Sequence, residues 1–374
     1  MRISTSTSIV LSLLFGCRDK TQSNNASATD TQDVSCIIDE PETAPVYPTF
    51  NFSLATPAVL DLGTGSVRLS EGTQENLVFV QDNVIHQYAS DGTLTAGAES
   101  SINIHALHTR SDGQITTCLL DDHRVLKGDG SPDTAPTLVG EMYNACGGWD
   151  DEEIPCWSYL NGCHIQEVSD GSVSLAVHHT YGMDDHALED LYFTEDGQFV
   201  WLEVGDVNSL MGVGWGGGNN VLYKTGDTSV KIMSSTHQTS SISLDGTSIS
   251  AVSTSPSRSA LVTSDEAGVY VHDAAPCPVL IERIHTLAPM SRSRVTTYNG
   301  AIVVAGQDEP SGTFQIYGGS DILEYSYDTS LSQVSLVDVA SSTGRIHLLY
   351  KHVPVMDGDA EYGIVTFDAT EVTP

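Results

Sequence analysis

Along most of the chain, short runs of apolar and β-branched residues alternate with clusters of Gly, Asp, Asn and Ser. No stretch after residue 17 keeps the 3.6-residue period of an amphipathic helix. Runs of that length, bounded by turn residues, predict strands, so the expected class is all-β. One unit recurs: an apolar strand, a turn, a second strand ending near Tyr or His, then a polar Asp or Gly, as in LVFVQDNVIHQYASDG from Leu77. Comparable units start at Ile115, Cys156, Phe199, Ala260, Ala301 and Ile346. A period of about 40–45 residues with four strands per unit predicts a β-propeller, and seven units predict seven blades. Rings of six or eight blades and tandem β-sandwiches compete with that count. The longer step from Phe199 to Ala260 is read as a blade with an insertion around Gly212–Asn220, displacing the partner of the strand FVWLEV. A further strand near Ala58–Leu69 precedes the first unit. It is placed to complete the last blade and close the ring, which removes exposed sheet edges.

The pattern at the start of the chain is different. Arg2 and a Ser/Thr run lead into the apolar segment Ile9–Phe15, which stops at Gly16 and Cys17 and gives way to the charges of Arg18, Asp19 and Lys20. A basic residue followed by a short apolar core reads as a secretory signal, and the core falls far below the ~20 residues of a membrane-spanning helix. Leu14-Phe15-Gly16-Cys17 resembles the lipobox of bacterial lipoproteins, with Phe15 departing from the small or β-branched residue preferred there. That resemblance implies a diacylglyceryl group on the thiol of Cys17, anchoring the protein in a lipid bilayer. Each buried CH₂ of such an anchor contributes about 0.8 kcal/mol. With Arg18 rather than Asp after the cysteine, it also implies an outer-membrane lipoprotein facing the periplasm or the cell surface. The polar, aperiodic residues that follow, TQSNNASATDTQDVS, read as a flexible tether. The expected organisation is a signal peptide over 1–16, lipidated Cys17 and tether over 17–56, and a propeller over 57–374.

Charge and cysteine content narrow the picture. Asp and Glu outnumber Lys and Arg by 49 to 15, for a formal net charge of −34. Such a surface repels phosphate backbones, which excludes nucleic acid as a partner. Because the acids are dispersed along the chain, solubility in a salty habitat accounts for them better than one cationic partner or bound Ca²⁺. Setting Cys17 aside for lipid leaves Cys36, Cys118, Cys146, Cys156, Cys163 and Cys277, an even set for an oxidising compartment. Six cysteines allow 15 pairings. Asn161-Gly162 reads as a tight hairpin turn, which favours Cys146 with Cys156 or Cys163 over a Cys156–Cys163 bond. No closely spaced Cys/His pairs of the zinc-binding type occur.

The segment STSPSRSALVTSDEAGVYVHD, Ser253–Asp273, resembles the strand–turn–strand core of Trp-Asp (WD) repeat propellers and their bacterial relatives, with His272-Asp273 in place of the Trp-Asp pair. The resemblance supports the architecture and transfers no activity. GVGWGG, Gly212–Gly217, fits G-x-G-x-x-G, but the following NNVLYKTGD reads as a strand, not the helix that a dinucleotide site requires. HHTYGMDDH brings His178, Asp184, Asp185 and His186 into one short segment, a donor set that suits a transition metal, although the spacing matches no known ligand pattern. On a strand, His178 and His179 would point to opposite faces. Asp357, Asp359, Glu361 and Asp368 are spaced like a Ca²⁺ loop, but with Gly363 one place late, so a hairpin turn fits better. GWDDEEIP reads as a solvated acidic loop. No nucleophile-elbow, zinc-protease or phosphate-loop motif is present. The expected function is an envelope-anchored binding or scaffolding module for protein or glycan, without a cofactor. The alternative is a metal-dependent propeller hydrolase resembling the Ca²⁺-dependent lactonases, with its site in the central channel. Convergence of polar side chains on the ring axis would separate the two.

Overall fold

The computed structural model describes residues 48–372, apart from 142–155 and short connections between strands. Among the described residues every regular element is a β-strand, and the strands form seven four-stranded sheets. The first sheet comprises β2 (Val67–Leu69), β3 (Leu77–Gln81), β4 (Val84–Tyr88) and β5 (Leu94–Glu99). The second holds β6 (Asn103–Thr109), β7 (Ile115–Asp121), β8 (Arg124–Gly128) and β9 (Thr137–Glu141). The third holds β10 (Cys156–Glu167), β11 (Val173–Met183), β12 (His186–Glu195) and β13 (Gln198–Glu203). The fourth holds β14 (Ser209–Val213), β15 (Val221–Gly226), β16 (Ser229–Met233) and β17 (Thr239–Ser243). The fifth holds β18 (Ser248–Thr254), β19 (Ser259–Asp265), β20 (Gly268–Asp273) and β21 (Val279–Ile284). The sixth holds β22 (Arg292–Tyr298), β23 (Ala301–Asp308), β24 (Thr313–Tyr317) and β25 (Ile322–Ser326). The last joins β26 (Ser332–Ser342), β27 (Arg345–Pro354) and β28 (Glu361–Val372) to the N-terminal β1 (Thr49–Thr64).

All pairings within the sheets are antiparallel, and the first strands of successive sheets touch in a closed cycle, β2–β6–β10–β14–β18–β22–β26 and back to β2. The arrangement is propeller-like. Its core is not central but divided among the seams between sheets. Leu77 and Phe79 of the first sheet, for example, pack on Leu349 and Ile364 of the last, and Val78 and Val80 pack on Leu107 and Leu119 of the second. Among the described residues the largest seam lies between the sixth and last sheets, where fully buried Phe314 shares one apolar cluster with Leu348 and Phe367. Each such side chain contributes about 1.5–3 kcal/mol by leaving water. Strand residues alternate between the two faces of a sheet, and both faces meet neighbours. That is why the second strands read as unbroken apolar runs, as in Leu77–Val80, all buried.

The ends of the chain meet in the last sheet. β1 pairs with β28 from Thr49↔Val372 to Thr64↔Glu361, with a register break between Leu54 and Val59. Pro57, which has no amide proton to donate, falls inside that break on the outermost strand. The first and last sheets are further joined through Gln74. Its carbonyl accepts the Thr343 amide at 2.8 Å, while its side chain accepts the Val78 amide and the Thr109 hydroxyl at 3.1 and 3.0 Å. The predicted closing strand is thus real, but it begins at Thr49, within the segment read as tether, and Val67–Leu69 is a separate strand of the first sheet.

Three sequence expectations are corrected. Asn161-Gly162 is not a hairpin turn: Cys156–Glu167 is one strand, and the pairing with β11 steps from Leu160↔His179 to Gly162↔His178, leaving Asn161 as the extra residue of a bulge. The unit counted from Cys156 is therefore a first strand. The one counted from Phe199 is the outer strand β13, paired with β12. The equivalent second strands start at Val173 and Val221, so the longest step lies between Ile115 and Val173 rather than after Phe199. Finally, Cys163 bonds to Cys118, with Cα atoms 6.7 Å apart, which excludes Cys146–Cys163, one of the two favoured pairings. The hairpin reading had placed Cys163 on a second strand, whereas β10 sits beside the second sheet.

Candidate functional site

The bulge in β10 is one of a set. Pairing between first and second strands skips one residue in five sheets, at His105, Asn161, Met211, Ser250 and Val337. The residue before each bulge is Ile or Leu, and the one after it is Ala106, Gly162, Gly212 or Ala251 in four of the five. The fifth carries Asp338. A bulge turns one side chain out of the alternating pattern. Ile104 and Leu336 stay buried in the seams while His105 and Val337, one position on, line open space.

That space is a cavity of about 280 Å³, walled by the first strands β26, β2, β6 and β10 and by Leu349. Arg68, Glu71, His105, His164 and Asp338 all line it. Arg68 is held by a 2.8 Å hydrogen bond from Nη1 to the Ile104 carbonyl. Glu71 follows β2 and lies against β6: its amide donates to the Leu107 carbonyl, and its carbonyl accepts the Thr109 amide, in a parallel bridge to His108. Gly72 makes this approach possible, having φ +102° and no Cβ to strike the Thr109 carbonyl. His164 Nδ1 stands 3.9 Å from Glu71 Oε1. Arg294 anchors the Asp338 side of the cavity by donating from Nε to the Val337 carbonyl at 2.6 Å.

The cavity walls disfavour charge. Desolvation, with a smaller effect of the Asp338 charge, pushes the Glu71 carboxyl up to about 8, even though half of its side-chain surface still faces the opening. Desolvation likewise pushes Asp338 up to about 6, against the opposing pull of the Val339 amide and Arg294. It holds His164 down to about 4, and desolvation followed by the Arg68 charge lowers His105. Neutral imidazoles and weakly acidic carboxyls can each donate and accept hydrogen bonds, the properties of a polar binding site and of acid–base groups. The Cys118–Cys163 bond braces the wall: Cys118 pairs with Ala106 in register, and Cys163 directly precedes His164. Polar side chains from four of the seven first strands, and from the residues next to them, therefore share one cavity. Among the described residues, however, no three of His, Cys, Asp and Glu are grouped so as to hold a metal ion.

Of the sequence-predicted metal set, His178 and His186 are not brought together. His178 and His179 are buried in β11, and His178 is paired with Leu191, whereas His186 opens β12 opposite Met183. Five strand positions separate the two histidines, roughly 17 Å. Asp184 and Asp185 lie outside the described residues, as do Cys17, Cys36, Cys146, Cys277 and the GWDDEEIP loop; Cys156 opens β10. The segment after GVGWGG is strand β15, as its sequence indicated, and Glu361 opens β28 with its carboxylate 3.4 Å from His352 Nε2. None of the cavity residues was singled out from the sequence. The apolar–x–small triplet of the first strands, with Asp338 as its exception, marks His105 and Asp338 alone; Arg68, Glu71 and His164 carry no comparable signal.

No protein-family model matches the chain, and no curated protein matches it in sequence. Solved structures do resemble it. Streptogramin B lyase superposes with a TM-score of 0.50 at 12% identity, covering 85% of this chain and 100% of that one. A chain of the mitotic checkpoint complex gives 0.45 at 16% identity, covering 91% and 99%. A gluconolactonase from Xanthomonas campestris gives 0.39 at 9% identity, covering 86% and 95%. Identities this low bear on fold alone, and the fold is that of a propeller module.

Proposed function

We propose that the protein is an envelope lipoprotein, tethered through acylated Cys17, whose propeller is a seven-bladed binding module for an envelope peptide or glycan received in the axial cavity. The closed cycle of seven first strands supports reading each sheet as one blade. The lipobox-like Leu14–Cys17 and the polar residues after it support the anchor. The observation that carries the binding reading is the cavity itself, lined by Arg68, Glu71, His105, His164 and Asp338 and with about 280 Å³ for a small polar ligand. The dispersed donors and acceptors suit recognition better than the compact ligand set that a metal-dependent hydrolase needs.

The test is the melting temperature of the full chain in detergent against a panel of envelope glycans and peptides, with Ca²⁺ and with chelator. A ligand-dependent rise that chelator leaves unchanged, and that Asp338→Asn weakens, is expected. A large fall in melting temperature on chelation would favour the hydrolase instead. For the anchor, Cys17→Ser is expected to move the protein from the membrane fraction to the soluble fraction.

A further inference from the structure

The two signs of charge occupy different levels of the cavity. Glu71 bridges to His108, and three residues earlier on each segment stand Arg68 and His105, where the Arg68 guanidinium reaches the carbonyl of Ile104 next to His105. Consistent with that, the charge acting on His105 is that of Arg68, whereas the charge acting on Glu71 is that of Asp338. Three strand positions separate the levels, roughly 10 Å.

At the first level, Arg68 spends Nη1 on the Ile104 carbonyl, is exposed to solvent, and has no carboxylate within ion-pair distance among the described residues. The rest of its guanidinium fork is shaped to grip a carboxylate, with two parallel N–H donors. At the second level, Glu71 and Asp338 present carboxyl oxygens, with His164 3.9 Å from Glu71. An ammonium offers three donors to such a set. The rest of the lining is largely apolar, with Leu69, Ala106, Leu107 and Val337, and it has room at Gly162, where an added Cβ would meet nothing within 4 Å. An extended chain spans at most about 3.3–3.6 Å per residue, so two or three residues reach from one level to the other.

We infer that the axial cavity holds a short peptide of two or three residues end to end, its carboxylate on Arg68 and His105 and its ammonium between Glu71 and Asp338. This deepens the axial-cavity reading above and depends on it. A single amino acid is too short to engage both levels. A neutral saccharide would leave the guanidinium without its anion.

Calorimetric titration of the full chain with dialanine, trialanine, N-acetyl-trialanine, trialanine amide and free alanine tests the assignment. Dialanine or trialanine is expected to bind, each terminal cap to weaken it at least about tenfold, and free alanine not to bind. Arg68→Gln should abolish the penalty of the amide cap and Asp338→Asn that of the acetyl cap. Because an ammonium favours ionised carboxyls, binding at neutral pH should release protons, seen as heats that differ between buffers. Unchanged melting temperatures would show that both variants fold. Equal binding of capped and free peptides overturns the inference. If a neutral oligosaccharide binds and no peptide does, with Asp338→Asn weakening it, the inference falls and the axial site stands. If neither class binds, both fall.

Discussion

The seams between sheets and the cavity on the axis are built from the same first strands, yet they have opposite chemistry. On β26, Leu336 is fully buried in the seam, while Asp338, two residues on and beyond the bulge at Val337, faces open space. On β6, Ile104 packs between sheets and His105, the next residue, lines the cavity. A single extra residue thus turns His105 or Asp338 toward the cavity, while residues on both sides of the bulge, such as Leu336 before it and Val339 and Ala340 after it, stay in the seams. Stability and recognition can then be altered separately, and the sharpest tests ask whether they are.

The largest separation is expected from the seam between the sixth and last sheets. Phe314 is fully buried there, stacked on Tyr325 with centroids 6.4 Å apart and tilted against Tyr350 at 5.9 Å. Phe314→Ala should cost about 3–5 kcal/mol, read from the midpoint of urea unfolding. Val337→Ala should cost less, about 1 kcal/mol, because Val337 is only half-buried, packed on one side against the cluster around Val67 and Leu349 and open to the cavity on the other. Similar losses for the two variants would break the comparison.

A second test acts where seam and cavity meet. The Cys118–Cys163 bond crosses from the second sheet to the third, within the apolar cluster of Val125, Ile165 and Leu175. Its removal by a double Cys→Ala change should destabilise the fold by about 2–4 kcal/mol. Because Cys163 adjoins His164, it should also weaken binding in the cavity under conditions where the protein remains folded. Loss of stability with unaltered binding would show that the brace serves the seam alone.

How much of this could be seen in the sequence follows from the same division. The seams were legible because burial on both faces forces unbroken apolar runs such as Leu77–Val80 and Ala301–Val304, and these recur with the fold. The two units that were misassigned, at Cys156 and Phe199, are the places where a first strand and an outer strand imitate that pattern. Asn161-Gly162 carries the composition of a turn, but Leu160↔His179 and Gly162↔His178 supply tertiary pairing that overrides it. The cavity was illegible because its residues come from separate strands: Arg68, Glu71, His105, His164 and Asp338 are isolated polar residues in the sequence, and only ring closure brings them together. His178 and His186, close in sequence, stand five strand positions apart on two strands in space.

The smallest test separates the regions by pH. Buried His347 donates or accepts with Ser342 and Thr366 at 2.7 and 3.0 Å, and burial holds it down to about 3; His108, also buried, is held down to about 4. Depressed in the fold, these groups contribute stability that is present above the unfolded value near 6.5 and lost as pH falls through 4 to 3. Glu71 and Asp338 act in the opposite sense. Raised to about 8 and about 6, they contribute stability that is present below their unfolded values and lost as pH rises through those values. Between about pH 4.5 and 6.5 the two sets oppose each other, and from 6.5 to 8 Glu71 acts alone. His347→Gln should therefore flatten the acid limb of a stability–pH profile and leave the limb above pH 6.5 unchanged. Glu71→Gln should do the reverse, gaining stability relative to the parent as pH rises from about 4.5 to 8. The gain stays below about 1 kcal/mol because solvent reaches half of the side chain. An unchanged upper limb in Glu71→Gln would mean that the cavity imposes no cost on its carboxyls, and the contrast between axis and seam would then be one of exposure rather than of chemistry.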